Sequence, residues 1–257
     1  TAGTVLSSKV GRLLRPGAQR DAGAWVSALP FTPLADYSYD GIMRSHEDSL
    51  QRLGLDRIDV LYIHDVGNRT HGDTAGPAIF ETAMTGGYRA LEGLKRSGAI
   101  RAFGLGVNEA AVCEAALDRG DWDVFLLAGR YTLLEQDSAL GLLQTCAARG
   151  TDIVIGGPFN SGVLVGGAHF DYGAIPDRVA ARVQHLQRVC DAHGVALAAA
   201  ALRFPLAHPA VKSVIPGPRS PQELAQILDW WAQDIPASFW SDLRAEGLLD
   251  PHLPVPA

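Results

Sequence analysis

Residues 100–109 read Ile100-Arg101-Ala102-Phe103-Gly104-Leu105-Gly106-Val107-Asn108-Glu109. This stretch decides between two parallel α/β architectures. A doubly wound dinucleotide fold carries G-x-G-x-x-G in the turn after its first strand, where backbone amides meet a pyrophosphate. Here glycines stand at 104 and 106, but Glu109 takes the third position, and the pair lies inside an apolar strand. No G-x-x-x-x-G-K-[ST] occurs anywhere in the chain. The strand ends on a polar residue, Asn108, and polar strand ends recur at Lys9, His64 and Arg130. Polar side chains at the C-terminal ends of successive strands mark a (β/α)8 barrel, and that α/β fold class is expected.

The flanking pattern supports a parallel sheet. Short apolar runs at 4–8, 58–63, 100–107, 123–127, 151–155 and 211–215 alternate with helical stretches at 40–53, 81–97, 109–119, 136–149, 176–193, 196–206, 221–231 and 236–247. Asp40 is expected to cap the first helix, and Gly54, Gly98 and Gly150 to stop the helices before them. Near-continuous apolar strands separated by helices imply a parallel sheet with both faces covered. No composition break marks a linker, so 1–257 reads as one domain. The longest irregular stretch is 13–39, rich in Pro, Gly and aromatic residues.

Composition narrows the function classes. The chain is 47% hydrophobic and 19% charged, enough apolar material for a large core. Its net charge of −6 argues against a nucleic-acid partner, which needs a basic footprint. No run approaches the roughly 20 apolar residues of a membrane span. Cys113, Cys146 and Cys190 are scattered and odd in number, which excludes a disulfide scaffold and points to a reducing, cytoplasmic setting. The histidines form no H-E-x-x-H, so no metal site is expected.

Lys9 and His64 are the candidate catalytic residues, because each ends an apolar strand where a polar group is costly without a task. Gly156-Gly157-Pro158-Phe159-Asn160-Ser161-Gly162 follows a strand and offers amides, Asn and Ser to a pyrophosphate, although an ordinary βα loop reads the same way. Val214-Ile215-Pro216-Gly217-Pro218-Arg219-Ser220-Pro221 runs into a helix N-terminus, a ready anion site. Trp230-Trp231 reads as packing.

Together these segments resemble the aldo-keto reductase family over almost the whole chain. Leu6-Ser7-Ser8-Lys9-Val10-Gly11 is similar to the strand carrying its catalytic lysine. The segment from Gly54 to His64-Asp65 is similar to its signature ending in the active-site histidine. Asp36-Tyr37-Ser38-Tyr39-Asp40-Gly41-Ile42 and Gly106-Val107-Asn108-Glu109 resemble the branch that oxidises L-fucose or other D-threo-aldoses at C1, or pyridoxal, with NAD. The resemblance implies a small sugar or pyridoxal-like substrate. It implies that Asn108, Phe159, Asn160, Ser161, Gly162, Ile215, Gly217, Arg219, Glu223 and Gln226 bind the cofactor. The lysine and arginine that clamp the 2′-phosphate in NADP-preferring relatives map to Gly217 and Glu223, so NAD is expected over NADP. The family's catalytic Asp and Tyr precede the lysine strand. The sequence is therefore expected to lack about two N-terminal βα units and to be weak or inactive as it stands. The alternative is a catalytically defective nucleotide-binding protein of the same family.

Overall fold

The computed structural model describes residues 3–17 and 29–256. The chain forms two compact units, one of residues 1–107 and 111–125, the other of 108–110 and 126–257.

The first unit is built on parallel strands. β1 (Ser7–Val10) pairs with β4 (Val60–His64), and β4 with β5 (Ala102–Val107). The register sets Lys9 beside Tyr62, Tyr62 beside Gly104, and His64 beside Gly106. Leu61, Ile63, Phe103 and Leu105 are buried, as strands covered on both faces require. Between β1 and β4 come β2 (Arg12–Pro16) and β3 (Phe31–Ala35), an antiparallel pair. This hairpin replaces much of the irregular stretch expected at 13–39, of which residues 18–28 lie outside the described residues.

α1 (Tyr39–Leu53) follows, closed by Gly54 in the left-handed conformation as expected. Its cap is Ser38 rather than Asp40: the Ser38 hydroxyl accepts from the Gly41 amide at 3.1 Å and donates to Asp36 Oδ1 at 2.6 Å. Thus the Asp36–Gly41 segment has a local task in starting a helix. α2 (Asn68–Thr82) went unexpected, because Gly72, Gly76 and Pro77 erase the apolar period; Gly72 is non-helical within it. A single π-helical stretch at 83–87 joins it to α3 (Tyr88–Arg96), so the one helix expected at 81–97 is three pieces. After α4 (Ala110–Leu117), Trp122 packs edge-on against Tyr88 and Phe103 at 5.0 and 5.6 Å and donates to the Ala116 carbonyl. β6 (Val124–Ala128) begins in this unit and ends in the next.

In the second unit, α5 (Leu140–Arg149) leads to β7 (Asp152–Gly156), which pairs in parallel with β8 (Val211–Ile215). α6 (Asp177–His193) and α7 (Leu197–Arg203) lie between them, and α8 (Pro221–Ala232) and α9 (Ala237–Ala245) follow. α8 starts as its sequence indicates, with Pro221 in the first turn and Ser220 Oγ accepting from the Glu223 amide at 3.1 Å. The core gathers Tyr131, Phe204, Phe239 and Trp240, all nearly inaccessible. Among the described residues no single helix is long and apolar enough to cross a membrane.

Candidate active site

In the first unit, charged and polar side chains converge at the C-terminal ends of β1 and β4. Lys9 is not the buried lysine its strand suggests, for its side chain remains exposed. Desolvation around the ammonium nevertheless lowers its pKa; Asp65 opposes this and Arg12 adds to it. Gly106 makes room for this side chain: a Cβ there would stand 3.1 Å from Lys9 Cε and 3.2 Å from Tyr62 Cβ. His64, at the end of β4, has its Nε2 3.1 Å from Asp65 Oδ2. Burial depresses the imidazole's pKa, against the raising effect of that carboxylate.

Asp65 is held on several sides. The Arg12 guanidinium donates to its Oδ2 at 2.8 Å. Its backbone carbonyl lies 2.8 Å from His71 Nε2. The buried Tyr37 hydroxyl donates to the His64 carbonyl at 2.8 Å. Burial disfavours the Asp65 carboxylate, but His64, Arg12 and Lys9 together hold its pKa below the usual value. Its φ is +47°, a conformation uncommon for a residue with a side chain.

The second unit contains a cleft of about 840 Å³. Asn108, Phe159, Asn160, Ser161, Gly162, Gly217, Arg219, Glu223 and Gln226 all line it, so nine of the ten residues expected to hold a cofactor come together. Ile215 does not line it. It ends β8, and its carbonyl accepts from the Gly157 amide at 3.3 Å, supporting the loop rather than facing the cleft.

Asn160 contributes differently from expectation. Its side-chain Oδ1 accepts from Thr132 Oγ1 at 2.6 Å and its Nδ2 donates to the Gly129 carbonyl at 3.3 Å, so the amide braces the loop. Asn160, Ser161 and Gly162 have consecutive positive φ values of 47°, 61° and 101°. Phe159 rests edge-on against Trp230 at 6.0 Å, and Trp230 lines the cleft instead of serving only as packing. Glu223 accepts from the Arg219 amide at 2.7 Å and from its guanidinium at 2.8 Å. This pairing lowers the carboxyl's pKa and raises the guanidinium's.

Sequence reasoning missed a tight turn at the cleft. Phe170 and Gly173 exchange backbone hydrogen bonds of 3.0 and 2.9 Å, with Asp171 and Tyr172 both at positive φ. This is the two-residue hairpin geometry. The Tyr172 amide donates to Ser161 Oγ, its hydroxyl to Asn108 Oδ1, and Asp171 pairs with Arg130 at 3.4 Å. The glycines at 166, 167 and 173 were the available signal. Among the described residues no cluster of His, Cys, Asp and Glu suits a metal ion.

The cleft's size suits a dinucleotide, since ligand pockets run to roughly 300–1,000 Å³. Its donors also suit one. Glycine-rich backbone and Ser161 can receive phosphates, α8 presents its N-terminus, and Phe159, Ile227 and Trp230 supply apolar surface for rings.

The model of the "Aldo/keto reductase family" matches residues 5–246, a span that runs through both units. The chain is 45% identical over 261 residues to a pyridoxal 4-dehydrogenase of Microbacterium luteolum, covering 95% of this chain and 76% of that one. It is 36% identical to a D-threo-aldose 1-dehydrogenase of a Pseudomonas species, covering 95% and 75%. Among solved structures, the glycerol dehydrogenase of Gluconobacter oxydans superposes with a TM-score of 0.66 at 18% identity, covering 98% of this chain and 74% of that one. A holo aldo-keto reductase of Bacillus halodurans gives 0.64 at 21% identity, covering 97% and 74%. These neighbours assign the TIM-barrel fold class expected from the strand ends.

Proposed function

Because the chain belongs to the aldo/keto reductase family and is therefore an oxidoreductase, we propose that it is a cytoplasmic NAD-linked dehydrogenase of a small hydroxylated substrate, an aldose at C1 or pyridoxal. The observation that carries the reading is the gathering of nine cofactor candidates around one dinucleotide-sized cleft. The two most similar relatives named above act, by their names, on pyridoxal and on D-threo-aldoses.

In this reading the bound nicotinamide supplies the hydride acceptor. Asn108 orients its carboxamide, since an asparagine amide both donates and accepts. The glycine-rich loop at 156–162 receives the pyrophosphate, with Asn160 bracing the loop from behind. Glu223 and Arg219 attend the adenosine ribose. The Glu223 carboxylate accepts from a 2′-hydroxyl and repels a 2′-phosphate, and the Arg219 cation is already spent on Glu223. NAD is therefore preferred.

Lys9 and His64 serve the substrate's oxygen. The cation of Lys9 favours the deprotonated form of a neighbouring hydroxyl during oxidation. His64 hydrogen-bonds the oxygen with its ring and orients it.

The test is Lys9→Met. Turnover of pyridoxal and of D-threo-aldoses with NAD is compared with NAD affinity in the two proteins, each as the full-length chain. The expected result is loss of most of kcat with NAD binding nearly intact. Loss of NAD binding with kcat unchanged would place Lys9 outside the chemistry.

A further inference from the structure

We propose that Asp65 is a positioning residue for His64: its carboxylate, anchored by Arg12, accepts the Nε2 proton of the imidazole and so fixes the ring's tautomer and orientation beside Lys9. The inference rests on the dehydrogenase reading for its consequence, but not for its geometry.

The geometry is over-determined. A carboxylate only accepts, so a 3.1 Å approach to Nε2 selects the tautomer with the proton there. The neutral imidazole is otherwise free to carry its proton on either nitrogen. Asp65 reaches its own neighbour's ring only because its backbone turns to φ +47°, a conformation that costs energy and persists where surroundings enforce it. Here they do. The Tyr37 hydroxyl holds the His64 carbonyl, His71 Nε2 holds the Asp65 carbonyl, and the Asp65 amide donates to the Gly106 carbonyl at 3.0 Å.

The charges around the ring come from four elements. Lys9 lies on β1, Arg12 on β2, Asp65 just beyond β4, and His71 on α2, with the Tyr37 hydroxyl between β3 and α1. Lys9 and Arg12 oppose protonation of His64, and Asp65 alone among these charges favours it. Without the carboxylate, nothing in this set balances the two cations facing the ring.

A structural role would look different. Were Asp65 only a turn residue with a surface ion pair to Arg12, glycine would serve the left-handed conformation better than aspartate. Substitution would then leave the His64 ring unchanged.

The experiment uses the full chain with 15N-labelled histidine, as wild type, Asp65→Gly, Asp65→Asn and Arg12→Met. Ring nitrogen shifts of His64 report tautomer and titration, and backbone amide spectra report the fold. The wild type is expected to show the Nε2-protonated form. Asp65→Gly mixes the tautomers, and both Asp65 variants move the His64 midpoint to lower pH. Arg12→Met loosens the carboxylate and gives an intermediate ring spectrum. In turnover with NAD, kcat falls by about 10–100-fold in Asp65→Gly, as misplacement of a reacting group implies, while KM for NAD holds. An unchanged His64 tautomer and midpoint in both Asp65 variants overturns the proposal. A shifted ring in a chain that binds no NAD supports the Asp65–His64 coupling and refutes the dehydrogenase reading instead.

Discussion

Asn160→Ala is expected to cost more stability than any contact-counting at a loop would suggest. Asn160 is nearly inaccessible at 3% exposure and sits at φ +47°. Its side chain satisfies the Thr132 hydroxyl at 2.6 Å and the Gly129 carbonyl at 3.3 Å. Thr132 is fully buried, and its Oγ1 also accepts from the Glu135 amide, so its hydroxyl hydrogen has been committed to Asn160. Removing the amide leaves a buried donor unpaired, worth about 1–3 kcal/mol. Alanine also tolerates the left-handed conformation less well than asparagine, adding roughly 1 kcal/mol. The sum is about 2–4 kcal/mol, or a fall in Tm of roughly 5–15 °C for a chain of this size. Urea unfolding of wild type, Asn160→Ala and Asn160→Gly separates the parts: glycine recovers the backbone contribution and none of the hydrogen bonds. A double-mutant cycle with Thr132→Val then isolates the side-chain pair. Asn160→Gly as stable as wild type, or a coupling near zero, would refute the assignment of this amide to the scaffold.

Gly104→Ala should be severely destabilising, by about 3 kcal/mol or more, because the added Cβ would collide with the Val124 carbonyl; a urea midpoint equal to wild type would contradict the strand packing. His46 is buried with Nε2 lacking a partner among the described residues, and burial lowers its pKa below 6.5. The unfolded chain then binds more protons, so stability declines as pH falls below the unfolded value; His46→Leu should flatten the unfolding midpoint between pH 7 and 5, and an unaltered slope would discount this histidine. Glu223→Arg should raise kcat/KM with NADP relative to NAD by about tenfold or more, and an unmoved ratio would remove Glu223 from the ribose end of the cleft.

Much of the fold was legible because it rests on local signals. β8 falls at 211–215 as its apolar run indicates, and α1 ends at Gly54. α2 was illegible for an equally local reason: Gly72, Gly76 and Pro77 in a polar sequence carry no helical period, and neighbours rather than propensity hold the segment helical. The β2–β3 hairpin hid because its exposed strands, Leu14 and Leu34 among them, bury too little to alternate cleanly. At the site, the nine cleft residues were readable from motif and resemblance. Side-chain commitments were not. Nothing in the residue order tells that Asn160 bonds Thr132, 28 positions away, or that Arg12 reaches Asp65, 53 positions away.

The glycine pair at 104 and 106 shows how one signal carries a different cause from the one its spacing suggests. Gly104 is required because the Val124 carbonyl of β6 lies where a side chain would project. Gly106 stands opposite His64 in the ladder and leaves the space crossed by the Lys9 side chain. Neither glycine lines the cleft of the second unit. Absence of a side chain at 106 thus bears on a lysine rather than on a phosphate, and it ties the strand that decides the fold class to the residue on which the proposed chemistry depends. A larger residue at 106 would have to displace Lys9 Cε from 3.1 Å. That displacement would move the ammonium relative to His64 and Asp65, whose charges it already senses. The position therefore couples backbone packing to the electrostatics of the site, which is why an apolar strand tolerates two glycines despite their weak preference for strands.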